Sequence, residues 1–151
     1  MKKDQKLTHQ VVVNAYLIKD KKFLLLKRSD PPHAWGPPGG KLNINEDPET
    51  GLKREIREET GLQIEIHVPV NVWFGDFQGK TFLSIDFLCT TSYKNLQLSD
   101  EHTDFKWLTL QEIKKENTKY LFSPEGFQIS DFELAWKTYL CHKDLLITEE
   151  H

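Results

Sequence analysis

Glu55, Glu58 and Glu59 stand at i, i+3 and i+4 in the run Arg54-Glu55-Ile56-Arg57-Glu58-Glu59-Thr60-Gly61-Leu62. On a helix that spacing puts all three carboxylates on one side. The start and stop signals around the run predict such a helix over Pro48 to Thr60. Asp47 is an N-cap with Pro48 at the first helical position, and Glu49 suits the positive helix N-terminus. Gly61 is placed to end the helix in a left-handed conformation. Leu52 and Ile56 form an apolar stripe toward a sheet, and Arg54 and Glu58 can pair at i,i+4. The carboxylates are badly placed for a bare helix. Like charges one turn apart cost about 0.2–0.5 kcal/mol per pair, and anions near a helix C-terminus oppose its dipole. A cation over the cluster resolves both penalties. Oxygen-only donors select a hard ion, Mg²⁺ or alternatively Mn²⁺.

The wider stretch from Gly40 to Leu62, GKLNINEDPETGLKREIREETGL, resembles the Nudix box, G-x5-E-x7-R-E-U-x-E-E-x-G-U with U a bulky aliphatic. Gly40, Glu46, Arg54-Glu55, Ile56, Glu58-Glu59, Gly61 and Leu62 meet every fixed position. Within the variable positions, Asn43 and Asn45 stand where many members carry an acid and a glycine. Asn45 can replace glycine at a turn because asparagine tolerates the left-handed backbone. The resemblance covers nearly the whole chain and implies an α/β/α sandwich with a mixed sheet between helices. It implies Glu58 and Glu59 as main metal ligands, assisted by Glu55 and the Gly39 carbonyl. Glu46 and Arg54 are then structural, bracing the helix against its incoming loop. Many members also carry a glutamate before a strand that ends in tryptophan. Glu101 takes that place here, as a ligand or base, with Asp104 as the competing carboxylate and Trp107 as the tryptophan. Glu55 or Glu101 would be the base. Trp35 and Gly39 match the tryptophan-to-double-glycine segment that shapes the family's site. Trp35 is then either a substrate contact or a loop anchor.

Two further residues follow from chemistry alone. Gly39-Gly40 lets backbone approach a ligand closely, so Gly40 joins the substrate-binding set. Arg28, at the end of the second strand, can hold a terminal phosphate with two parallel hydrogen bonds.

The remaining bounds are ordinary. A chain of 151 residues suits one domain over residues 1–151. Its net charge of −3 gives no footprint for duplex nucleic acid. No apolar run reaches membrane-spanning length and the start lacks an apolar signal core, so a cytoplasmic protein is expected. Cys89 and Cys141 lack metal spacing, and Cys89 reads as a buried free thiol. A homodimer is compatible with all of this.

In chain order, Val11–Ile18 and Phe23–Lys27 read as neighbouring strands around a Lys19–Lys22 turn. Ser29–Gly39, with prolines at 31, 32, 37 and 38, reads as a loop without regular structure, in which His33 is a hydrogen-bonding residue. Gln63–Val70 and Val72–Phe77 read as strands broken near Asn71, followed by a hairpin at Gln78-Gly79-Lys80. Thr81–Thr91 reads as a central strand with Asp86 facing outward, opposite Leu83, Ile85 and Phe87. Phe105–Leu108 is a short strand. Thr109 and Glu112 form a capping box for a helix to about Asn117. Ser123-Pro124 starts a last helix to about His142, with Phe132 and Trp136 in the core and a fraying tail from Leu145 to His151.

The function implied is Mg²⁺-dependent hydrolysis of a nucleoside diphosphate linked to another moiety, with a small nucleotide as substrate. Cations neutralise the anionic anhydride and acidify a water for in-line attack, and a carboxylate takes the proton. Phe77 and the Gln78-Gly79-Lys80 run occupy places where ADP-ribose-type members have proline and dinucleoside-polyphosphate members have tyrosine. A nucleoside triphosphate pyrophosphatase is therefore expected first and an ADP-ribose or nucleotide-sugar pyrophosphatase second. A non-catalytic nucleotide sensor is the reading from another class.

Overall fold

The computed structural model describes residues 9–31, 33–77, 79–116 and 126–149, with side chains described as far as residue 143. Its strands are β1 (Gln10–Lys19), β2 (Lys22–Arg28), β3 (Trp35–Gly36), β4 (Gly39–Lys41), β5 (Glu65–Phe77), β6 (Lys80–Thr90) and β7 (His102–Leu108). Its helices are α1 (Pro48–Thr60), α2 (Leu110–Lys115) and α3 (Ile129–Glu149). The strands make one mixed sheet in the order β3-β2-β1-β6-β5, with β4 also on β1 and β7 also on β2. Only the β1–β6 pair is parallel among the ladders described.

The apolar runs of β1 and β6 lack strict alternation because helices cover both sheet faces. On one face, Leu52 and Ile56 of α1 pack with Val13, Ala15, Leu17, Leu24, Leu26, Phe87 and Cys89, all buried. On the other, Phe132 and Ala135 of α3 and Ile113 of α2 pack with Tyr16, Ile18, Phe23, Leu25 and Leu88. Phe132 meets Tyr16 and Phe23 edge-on, with ring centroids 5.3 and 5.4 Å apart, the arrangement that aromatic quadrupoles favour. Trp136 packs against this second core, as expected of a core residue.

The β1–β2 hairpin pairs Lys19 with Lys22, and its turn residues Asp20 and Lys21 have φ of 52° and 65°. Positive φ at both turn positions matches the twist of the flanking strands. Asp47 caps α1 as expected, its side chain accepting from the Thr50 N–H, and Gly61 closes the helix at φ 74°. Asn45 has φ 63°, the left-handed conformation read for it. The Thr109–Glu112 capping box on α2 is present in both directions.

Four expectations need correction. The proline-rich stretch is not wholly irregular. Trp35–Gly36 pairs with β2, because prolines 31, 32, 37 and 38 flank the pair without occupying it. β5 is not broken at Asn71. It runs through on β6 and absorbs the mismatch as register shifts between Ile66 and Val68 and between Pro69 and Asn71; at this end of the sheet a proline and a bulge are tolerated. Asp86 does not face solvent. It lies opposite the Phe87 face as read, but is only 2% exposed. Finally, α3 continues in backbone to Glu149. It starts at Ile129, where Asp131 accepts from the Gln128 N–H at 2.8 Å. The Ser123-Pro124 start, Asn117 and Gln78 lie outside the described residues.

Candidate active site

Arg54 fixes the entry to α1. Its Nε and Nη2 donate to the two Glu46 oxygens at 2.8 Å each, a bidentate pair. Nη1 reaches Glu55 at 3.0 Å and Glu58 at 3.2 Å, and Nη2 also reaches the Lys41 carbonyl at 3.2 Å. Glu46 accepts the Asn43 N–H as well, and Arg54 above all holds its carboxyl down at about 2. One guanidinium thus ties the β4–α1 loop to the helix and draws Glu55 and Glu58 to one side.

The last turn of α1 carries the buried member of the cluster. Glu59 is 3% exposed, and its Oε1 accepts the Gly39 N–H at 2.9 Å. Burial first, then the Glu55 carboxylate, push its carboxyl up to about 9, with Glu101 and Glu58 adding to the rise and the Gly39 bond opposing it. Burial also raises Glu55, against the pull of Arg54.

A loop brings the distal residues to this helix end. Ser99 N–H and Gln97 N–H donate to the Glu59 and Thr60 carbonyls, at 3.0 Å each. These bonds satisfy carbonyls that a helix C-terminus leaves open. The Glu101 carbonyl in turn accepts from the Ser29 N–H at 3.0 Å and the Ser29 hydroxyl at 2.9 Å. Pinned at both ends, the segment sets Glu101 and His102 against Glu59. One ligand atom from each of the three lies within 4.8 Å of the others, and His102 Nε2 is 3.5 Å from Glu59 Oε2. Burial lowers the His102 pKa, against the pull of Glu101.

The donor set fits a divalent cation. Glu59 is buried, and the Glu55, Glu101 and Glu58 carboxylates around it add to the rise in its pKa that burial begins. Glu55, Glu58, Glu59 and Glu101 offer hard oxygens to such an ion.

The two glycines serve internal fits. A Cβ on Gly39 would strike the Val13 carbonyl and Asn14, and one on Gly40 would strike the Glu55 carboxylate. The close approach at Gly40 is therefore to the chain's own carboxylate. Gly39→Ala is expected to destabilise the fold by about 1–3 kcal/mol, since backbone must shift. Gly40→Ala is expected to leave stability within about 1 kcal/mol and to displace Glu55, lowering turnover at least about tenfold. Denaturant unfolding and initial rates on both variants check the contrast.

The other predicted residues lie around this centre. Arg28 pairs across the ladder with His102. Trp35 lies on the opposite, α3 side, packed against the second core with Lys106 Nζ 5.7 Å above its ring. Asp104 sits further along β7, exposed, and accepts the Phe105 N–H. His33 is a loop hydrogen-bonding residue, its Nδ1 3.4 Å from the Arg28 carbonyl.

Sequence reasoning missed His102 and misplaced Asp86. His102 was legible only as the neighbour of Glu101. Asp86 Oδ1 accepts from Asn14 Nδ2 at 3.0 Å and Ser84 Oγ at 2.7 Å, and burial raises its pKa. The parallel β1–β6 pairing sets Asn14 beside Asp86.

A NUDIX domain model matches residues 8–125. A MutT-like protein of Streptomyces ambofaciens is 33% identical over 108 residues, which are 71% of this chain and 68% of that one. Nucleoside triphosphatase NudI of Enterobacter sp. (strain 638) is 28% identical over 111 residues, 63% of this chain and 78% of that one. The crystal structure of a Caenorhabditis elegans Ap4A hydrolase binary complex superposes with a TM-score of 0.67 at 28% identity, covering 82% of this chain and 95% of that one. Carboxylate helix, pinned loop and family match together make this chain a member of the Nudix hydrolase family, the pyrophosphohydrolases of nucleoside diphosphate derivatives.

Proposed function

We propose that this Nudix hydrolase is a Mg²⁺-dependent nucleoside triphosphate pyrophosphatase, with Mn²⁺ as an alternative ion. The observation that carries the metal dependence is the grouping of Glu59, Glu101 and His102 with ligand atoms within 4.8 Å of one another. When bound, the cation neutralises phosphate oxygens and acidifies the attacking water. Glu58 and Glu59 hold it, with Glu55, Glu101 and the Gly39 carbonyl assisting. Glu55 or Glu101 takes the proton from the water. Arg54 orients Glu55 and Glu58, and Ser29 orients Glu101 through its backbone. Arg28, paired with His102 across the β2–β7 ladder, holds the terminal phosphate.

The triphosphate substrate is supported by the likeness to the NudI nucleoside triphosphatase. The Ap4A hydrolase likeness favours a second reading, a dinucleoside polyphosphate substrate, which shares the polyphosphate but adds a second nucleoside. A cytoplasmic location accompanies either reading, supported by the free thiols of Cys89 and Cys141. Among the described residues no helix is long and apolar enough to cross a membrane.

The test is turnover of dNTPs, NTPs, dinucleoside polyphosphates, ADP-ribose and nucleotide sugars with Mg²⁺, with products identified by mass. Triphosphates are expected to give monophosphate and pyrophosphate. Preferred cleavage of dinucleoside polyphosphates supports the second reading. Nucleotide binding without turnover of any of these would sink both in favour of a sensor.

A further inference from the structure

We propose that His102 is a nitrogen ligand of the metal site, which makes the site prefer Mn²⁺ over Mg²⁺ more strongly than carboxylates alone would. The inference rests on the metal-dependent reading above and adds a donor that the box carboxylates do not supply.

Two observations carry it. The first is placement. His102 opens β7, and its backbone is held by the Ser99 carbonyl on one side and by pairing with Arg28 on the other. Its side chain is 11% exposed and lies within one ligand sphere of Glu59 and Glu101. The 3.5 Å between Nε2 and Glu59 Oε2 is longer than the roughly 2.7–2.9 Å of a charge-assisted hydrogen bond. It suits two donors that share a third partner.

The second observation is an unmet bond. His102 Nδ1 is buried and has no hydrogen-bond partner. A histidine kept for structure has its ring nitrogens satisfied, since a buried unpaired polar atom costs about 1–3 kcal/mol. The nitrogen that faces Glu59 is the other one, Nε2, and no hydrogen bond at Nδ1 accounts for the seating of the ring. Imidazole nitrogen favours later transition ions over Mg²⁺, which prefers oxygen and water.

The test is pulsed electron paramagnetic resonance of the Mn²⁺-loaded full chain, with Mn²⁺ and Mg²⁺ affinities measured by calorimetry. The variants are His102→Gln and wild type grown with ¹⁵N-histidine. Wild type is expected to show a directly bound ¹⁴N coupling that ¹⁵N-histidine labelling replaces and that His102→Gln removes. Mn²⁺ affinity is expected to fall about tenfold or more in His102→Gln, with Mg²⁺ affinity changing less than about threefold. Mn²⁺ bound without histidine nitrogen coupling, or an unchanged affinity ratio, would overturn the role of His102 and leave the carboxylate site standing. No Mn²⁺ binding by the folded wild type would overturn the metal site itself and this inference with it.

Discussion

Replacing Glu59 by glutamine is expected to cut turnover about a thousandfold, or about 4 kcal/mol of activation free energy, while the chain stays folded. Glutamine keeps the volume and an acceptor oxygen for the Gly39 N–H, so the bond that seats the side chain survives. The charge is what disappears, and with it the central ligand. The same substitution weakens a pH dependence. In the cation-free protein the Glu59 carboxyl is pushed from 4.5 up to about 9, chiefly by burial. Between those values the folded state holds a proton that the unfolded state has released. Stability conferred by that proton is complete below about pH 4.5 and is lost as pH rises toward about 9. Without cation, the melting temperature of the wild type is therefore expected to fall across this window, and that of Glu59→Gln to fall less. Added Mg²⁺ opposes the fall, because an ion that binds only the native state stabilises it. Near-wild-type rates in Glu59→Gln would remove Glu59 from the site. An equal pH slope in both proteins would remove the burial argument.

Ile56→Ala is expected to destabilise the protein by about 2–5 kcal/mol. Ile56 is 0% exposed, at the centre of the core that joins α1 to β1, β2 and β6. It stands directly after Glu55 and one turn before the buried Glu59. The cavity would loosen the helix that sets the spacing of Glu55, Glu58 and Glu59, so cation affinity should fall with stability. Ile56→Val, which removes a single methylene, should cost about 0.5–1.5 kcal/mol and leave affinity nearly intact. Urea unfolding with an unchanged slope and a lowered midpoint is the expected signature. A loss under about 1 kcal/mol for Ile56→Ala would show that α1 is held by its polar contacts instead.

Local chemistry made α1 legible. Asp47, Pro48 and Gly61 act on adjacent backbone, so their cap and stop signals need no tertiary information. The Leu52–Ile56 stripe and the bidentate bracing of Glu46 by Arg54 lie within one helix and its entry loop. What was not legible depends on long-range pairing. Asp86 reads as an outward strand residue until its sheet face is known to be covered as well. His102 has no helical partner spacing and enters the site only because Ser99 and Gln97 dock on the end of α1. The β5 bulges were invisible for the same reason, since a register shift is defined only against β6.

The parallel β1–β6 ladder, running from Gln10 with Phe82 to Ile18 with Thr90, bears on the order in which the molecule assembles. Parallel strands close only after a long crossover, and such pairings form late and slowly. The segment that delivers Glu101 to Glu59 is held by long-range contacts to the end of α1 and to Ser29, and these are expected to form after the transition state. The mutual repulsion of these acids is then largely absent from the folding transition state and present in the native one. A site-bound cation should leave the refolding limb of a chevron almost unmoved and slow the unfolding limb. The protein would gain persistence once folded, with no gain in the speed of getting there.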